Sequence, residues 1–502
     1  MSQKPFYITT AIDYANGLPH IGHALEKIGA DVIARYQRQL GRDVRFVMGM
    51  DEHGQKVAQS AAAAGVSPQE WTDRVAAEFA SAWQSLNVSN DDFIRTTEPR
   101  HHASVAEMIR RMEAKGDLYR DTYAGFYCVG CEGYKTETDL VDGRCPEHPT
   151  LDVEWMEEED WFFRLSSYRD QLLRLVDEGD GFIEPESRRN EVRRMIEDIK
   201  DISVSRSGLD WGIRWPGEPH HAVYVWIDAL TNYLSATGFP EPGFERVWPA
   251  DLHVIGKDII RFHCVYWPAM LMSADLPVPG GVWAHGWMTL DGKKISKSSG
   301  TWVGIPEAVD RYGPDALRYF VLREIAWDAD GNFTWQRFDE RYTADLANDL
   351  GNLANRTLSM VQRYTGGVVP AGRGTDLDVL GVAVLDRYTE RMDRYLLHDG
   401  AAIGFQLVSA ANSFVESRAP WKLAKDPEQR TELENTLHSL VLALTRIAVL
   451  LAPFMPAKME TLWKDLGGGG PLPLIGELGE IDPRGWRVTT GNVLFPRPDL
   501  AR

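Results

Sequence analysis

The stretch FYITTAI at 6–12 is followed by Asn16-Gly17, by Pro19 and then, from Ile21, by apolar residues at helical spacing. β-Branched and aromatic residues make the first part a strand, and the turn residues and proline separate it from a helix. Strand, loop and helix in this order constrain the chain more than any other feature, because they point to a parallel α/β sheet. In such a sheet the helix N-terminus, with its unpaired N–H groups and positive dipole end, faces the space beyond the carboxyl ends of the strands, where anions bind. Ile21, Leu25, Ile28 and Val32 share one helical stripe, and His20, His23 and Lys27 share the opposite side. Gly22 has no side chain to keep a nucleotide from the backbone, and two imidazoles can donate to phosphate oxygens. Taken alone, two histidines near a helix start read more safely as ordinary surface residues.

Further along, DVRFVMGMDEHG places a buried strand at Val44 to Met50 whose carboxyl end delivers Asp51, Glu52 and His53; the alternative is that these three cap the next helix. Helical spacing dominates from about 70 to 115. Residues 116–222 change character, with an arginine-rich ESRRNEVRRM and several acidic clusters, and read as an insertion. Strand-then-helix texture resumes in YVWIDALTNYLSA, ADLHVIGKDIIRFHCVYWPAML and VWAHGWMTLDGKKISKSSG, so two sequence-distant groups of units form one interrupted sheet. From about 345 the chain is almost entirely helical, which predicts a bundle. Gly467 to Gly470 is a flexible break, and Leu472, Leu474, Ile475 and Leu494 let the tail dock back.

A chain of 502 residues accommodates two to four domains, and 44% hydrophobic with 25% charged residues excludes wholesale disorder. No apolar run long enough to span a bilayer stands out, and the N-terminus lacks the pattern of a signal peptide, so the expected compartment is the cytoplasm, with no membrane partner. A net charge of −19 argues against indiscriminate nucleic-acid coating but allows a local basic groove. Four cysteines are too few for a disulfide framework.

Three of those cysteines crowd together as Cys128-x-x-Cys131, thirteen further residues, then Cys145-x-x-His148. Three thiolates and an imidazole at this spacing suit tetrahedral zinc, Zn2+, in a closed structural site; reduced thiols in an irregular loop are the alternative. Cys264, in an apolar helix, reads as packing. In DGKKISKSSG the Asp291-Gly292 turn places Lys294 and Lys297, flanking Ser296, on a loop able to close on phosphates. By itself this is a solvated charge run, informative only when paired with the histidines.

That pairing carries a resemblance. HIGH at 20–23 and KISKS at 294–298 resemble the HIGH and KMSKS ATP-binding motifs of class I aminoacyl-tRNA synthetases. With ANGLPHIGHAL, MDEHG, YVWIDALTNY, IGKDIIRFH and one zinc knuckle, the chain resembles the methionyl-tRNA synthetases of bacterial type over nearly its whole length. Ile295 replaces the family's usual methionine and is expected to pack; Asp13 stands where some members carry proline. The resemblance implies a Rossmann-type parallel-sheet α/β catalytic domain (1–115 and 223–290) split by a zinc-binding connective insertion (116–222). A lysine-loop and stem-contact region (291–345) and an α-helical anticodon-binding domain with its tail (346–502) follow.

The activity implied is ATP-dependent ligation of methionine to tRNA(Met), with Mg2+. His20, His23, Lys294 and Lys297 would be catalytic, joined in nucleotide binding by Gly22, Gly256, Asp258 and Ser296. The methionine pocket would comprise Ile12, Tyr14, Asp51 (to the ammonium), Trp226, Ala229, Tyr233, Ile259, His263 and Trp267. Asn352, Arg356, Pro420 and Trp421 would read the anticodon, while the acceptor end meets the catalytic residues. No further tRNA-binding domain follows the bundle, so a monomer is expected. Competing readings are another class I synthetase and a non-catalytic RNA-binding relative; a zinc-centred hydrolase needs an open metal position that a four-ligand knuckle lacks.

Overall fold

A computed structural model describes residues 4–129, 133–135, 137–146, 151–179, 181–295, 301–491 and 493–497. The chain divides into two compact units.

The first unit comprises Met1–Pro19, Val44–Ser81 and Asn90–His285. Its frame is a seven-stranded sheet in the order Asp13–Tyr14, Val44–Asp51, Phe6–Thr10, Leu252–Gly256, Val282–His285 and Ile183–Glu184, with Asp92–Arg95 also paired to Val44–Asp51. Every pairing in it is parallel; Ile8 lies opposite both Phe46 and Leu252. Phe6–Thr10 is the centre from which the chain first builds to one side and, more than two hundred residues later, to the other. Such a reversal leaves a crevice at the carboxyl ends of the central strands, the usual ligand position in open α/β sheets.

Two strands depart from expectation. Asp92–Arg95 interrupts the helical region between Pro68–Ser85 and Pro99–Ala114; its four residues, DFIR, are too few to impose a visible alternation. Ile183–Glu184 comes from the segment read as an insertion, yet pairs with Val282 and Trp283 at the sheet edge. The same segment forms a four-stranded antiparallel sheet around the long pair Leu118–Cys128 and Glu154–Phe163.

The second unit comprises His20–Asp43, Ala82–Ser89 and Gly286–Arg502. Helix Ile21–Gln39 lies here with helices Ile305–Tyr312 and Pro314–Glu324, a hairpin of Met288–Leu290 and Lys293–Lys294, and the long helices Asn352–Thr365, Asp376–Asp393, Leu397–Arg418 and Arg430–Leu451. Asp31 and Arg318, both 0% exposed at their side chains, form an ion pair at 2.7 Å. Arg318 also donates to the carbonyls of Leu86, Pro453 and Phe454. The tail docks through Val369 N–H to Trp486 O and Val488 N–H to Gly367 O, and Leu494 and Ile475 are buried.

One helical stretch, Pro427–Leu451, is after all long and apolar enough to cross a membrane by length and composition, and 89% of its apolar window is buried inside the protein. Most of its charges lie in the first turns, Arg446 is buried and donates to Asp378 O, and the apolar surface is consumed by bundle packing.

Candidate active site

Helix Ile21–Gln39 begins with its histidines folded back on its own backbone. Gly22 N–H donates to His20 Nδ1 at 3.1 Å, and His20 N–H donates to His23 Nδ1 at 3.2 Å. The imidazoles thus form a capping box, a role more common to Ser or Asp with Glu. Because both Nδ1 atoms accept, each neutral ring carries its proton on Nε2, where it is a donor. The rings stand 3.9 Å apart. Burial, His20 and Lys27 together hold the His23 pKa well below its ordinary value, so this ring is neutral near pH 7.

Lys27, set by helical spacing on the same ligand-facing side, departs from that expectation. It is 1% exposed and pairs with Glu26 at 2.6 Å, because the helix is buried on nearly all sides rather than along one stripe.

The lysine motif starts on the hairpin whose turn, Asp291-Gly292, has φ of 49° and 74°, the positive pair that primed two-residue turns require. Lys294 is backbone-paired with Thr289. Ile295 is 8% exposed, and a Cβ added to Gly22 would sit 3.4 Å from its Cδ1. Past the loop, Ile21 N–H donates to Val303 O at 3.1 Å and His20 bridges to Gly304. Ser296 and Lys297 lie outside the described residues, but the chain on both sides of them touches the helix that carries the histidines.

In the first unit, Tyr14 and Asp51 are register partners at the carboxyl end of the sheet. Helix Val225–Ser235 supplies Trp226, Ala229 and Tyr233, and the segment after strand Leu252–Gly256 supplies Ile259, His263 and Trp267. Tyr233 Oη and His263 Nε2 are 2.6 Å apart, and the Tyr233 and Trp267 rings 6.0 Å. Ile12, Trp226 and Ile259 are partly buried against the core cluster that contains Tyr233 and Trp267. Trp226 stacks on Phe262 at 3.5 Å, a partner that spacing did not single out. At Gly256 a Cβ would lie 2.6 Å from Asp258 Oδ1, so a side chain there would require the Asp258 carboxylate to shift.

The neighbours of Asp51 do not cap the next helix, whose N-cap is Gly54. Glu52 instead accepts from Arg95 Nε at 2.7 Å and from Thr97 Oγ1 at 2.5 Å. His53 Nδ1 and His101 Nε2 each lie 2.7 Å from the Asp228 carboxylate. Burial alone would raise the Asp228 pKa; the two imidazoles outweigh it and hold the carboxyl well below its usual range. This polar hub is not legible in the sequence because its members are distant: His53 and Asp228 sit in separate motifs and His101 in none.

Cys128, ending its strand, and Cys145 are fully buried and not in disulfides; Cys131 and His148 lie outside the described residues. Cys264 is buried, and burial pushes its thiol pKa up. In the helical bundle Leu346, Leu350 and Leu353 are buried while Asn352 is exposed. Arg356 donates to Glu416 at 2.7 Å and lies 5.7 Å over the Trp421 ring. Pro420, buried, starts the short helix Pro420–Leu423 that carries Trp421.

Comparison with known proteins agrees with this geometry. The family model described as tRNA synthetases class I (M) matches residues 6–152 and 148–358. Methionine–tRNA ligase of Rhizobium meliloti is 47% identical over 465 residues, 90% of either chain, and that of Streptomyces coelicolor is 41% identical over 98% of this chain and 97% of its own. Mycobacterium tuberculosis methionyl-tRNA synthetase, solved in complex with methionyl-adenylate, superposes with a TM-score of 0.95 at 41% identity, covering 99% of this chain and all of that one. With likeness of this depth along the whole chain, from the histidine-capped helix to the bundle, the protein belongs to the class I tRNA synthetases as a member of the methionine–tRNA ligase family.

Proposed function

We propose that the methionine carboxylate attacks the α-phosphate of ATP, giving methionyl-adenylate and pyrophosphate, and that a ribose hydroxyl of the terminal adenosine of tRNA(Met) then takes the methionyl group. The M. tuberculosis relative, named as a complex with methionyl-adenylate, supports the same intermediate here. No protein nucleophile is needed, because phosphoryl-type transfer depends on alignment and on stabilising charge. ATP brings Mg2+ as its phosphate-bound counterion.

In this reading His20 and His23 donate to phosphate oxygens and Lys294 and Lys297 offset the charge on the departing pyrophosphate. Gly22 and Ser296 line the same phosphates, and Gly256 and Asp258 contact the adenosine. Asp51 takes the methionine ammonium. Ile12, Tyr14, Trp226, Ala229, Tyr233, Ile259, His263 and Trp267 enclose the side chain, where aromatic rings suit a polarizable thioether. The observation that carries the reading is the histidine cap: it spends both Nδ1 atoms on the helix backbone and leaves the proton of each ring on Nε2.

Cys128, Cys131, Cys145 and His148 are assigned to structural zinc; the burial of the two described cysteines fits thiolate ligation. Such an ion would hold the knuckle together and take no part in the reaction. Asn352, Arg356, Pro420 and Trp421 are assigned to the anticodon through base edges and stacking. The proposed state is a monomer, and the proposed compartment is the cytoplasm.

Amino-acid-dependent ATP–pyrophosphate exchange tests the reading. Methionine is expected to support exchange and cysteine or leucine not to; exchange with either of those and none with methionine overturns it.

A further inference from the structure

His253, on strand Leu252–Gly256, is 0% exposed and has no part in the chemistry above. Parallel pairing puts it opposite Thr9, and its Nδ1 lies 2.7 Å from Thr9 Oγ1. On the other side of the ring, Trp267 Nε1–H donates to Nε2 at 3.2 Å. An indole N–H only donates, so Nε2 is bare. The neutral ring then carries its proton on Nδ1 and donates to Thr9. Burial, then His263, keeps the ring neutral by holding its pKa well below the ordinary value. The Tyr233 ring lies against it, 4.2 Å between centroids.

We propose that His253 is a specificity-determining positioning residue: its bare Nε2 fixes the indole of Trp267 and its face supports Tyr233, setting two aromatic walls of the methionine pocket. The proposal rests on the assignment of Tyr233 and Trp267 to that pocket. Without an acceptor at Nε2 the Trp267 N–H is buried with no partner, and turning the indole toward another acceptor relieves this. The wall against which the thioether packs then moves.

Three substitutions separate this role from general packing. His253→Gln places an amide oxygen near the Nε2 position, His253→Asn places its polar atoms near Nδ1, and His253→Leu supplies neither. ATP–pyrophosphate exchange gives kcat, the KM for ATP, the KM for methionine and the kcat/KM ratio of methionine over norleucine, which has a methylene in place of sulfur. His253→Leu and His253→Asn are expected to raise the methionine KM by roughly tenfold and lower that ratio, with kcat and the KM for ATP nearly unchanged; His253→Gln restores both. Folding is checked by thermal unfolding, and if His253→Leu does not fold, the Gln–Asn comparison decides.

Gln behaving no better than Asn, or a folded Leu variant with unchanged methionine KM and discrimination, overturns the proposal. Trp267→Phe isolates its foundation. If that change leaves the methionine KM and the discrimination untouched, the pocket assignment itself fails; if it alters them while His253→Leu does not, only the role of His253 fails.

Discussion

At the scale of single residues, His20 has two roles that can be separated. Its Nδ1 caps the helix by accepting from Gly22 N–H, and its Nε2 proton is assigned to phosphate. His20→Ala removes both, at a cost of about 1 kcal/mol for the cap and a rate loss of about 10²–10³-fold for one preorganised donor. Asparagine caps helices as well as any residue, so His20→Asn is expected to recover the unfolding midpoint while exchange stays slow. Thermal unfolding measured beside exchange reads the two effects independently, and recovery of both together would reduce His20 to a cap. Gly22 is held to glycine by the same geometry, since a Cβ there would lie 2.9 Å from His20 Cε1 and Nδ1. The motif made these residues legible in the sequence. His253 was not, because a lone histidine inside an apolar strand looks like core until the indole beyond it is seen.

Among elements, what sequence revealed depended on length and periodicity. Val44–Asp51 and the bundle helices are long enough to display their burial pattern, whereas Asp92–Arg95 and Ile183–Glu184 take their form from the neighbours they pair with. Helix Ile21–Gln39 misled at Lys27 because its polar residues are satisfied internally, Lys27 by Glu26 and Asp31 by Arg318, Arg35 and Ser89. The Asp31–Arg318 pair ties this helix to Pro314–Glu324 and to the carbonyls of Pro453 and Phe454. Arg318→Leu leaves a buried carboxylate short of a partner and is expected to destabilise by about 3 kcal/mol. Adding Asp31→Asn should return part of that loss, as chemical denaturation of the single and double variants would show. Arg356 behaves differently. It is partly exposed and engages Glu416 and the Trp421 ring, so Arg356→Ala should raise the KM for tRNA roughly tenfold while methionine-dependent exchange and the unfolding midpoint barely move.

For the molecule as a whole, histidines whose pKa values are held down make stability depend on pH, His23 (half-buried) and His253 (buried) most strongly. His23, in the second unit, and His253, in the first, are both held well below the ordinary value of 6.5 by burial, then by His20 and Lys27 for the one and by His263 for the other. The unfolded chain protonates these rings below 6.5 and the folded chain does not, so acid favours unfolding. Above 6.5 neither state binds the proton and the stability is fully present; it is lost as pH falls from 6.5 toward the folded pKa. At pH 5.5 each ring should cost its unit at most about 1.4 kcal/mol, the limit set by the unfolded pKa, before carboxylates begin to titrate in the unfolded chain. Asp228 contributes nothing in this window, because its paired carboxyl is ionised in both states until pH falls toward ordinary carboxylate values. Denaturant unfolding at pH 7.5 and 5.5 measures the total, and His253→Gln removes the proton-binding group from the first unit alone. That variant should lose less stability than the parent over the interval, by at most about 1.4 kcal/mol. An equal loss in both would mean that His253 is protonated in the folded protein, which is incompatible with an Nε2 that accepts from Trp267.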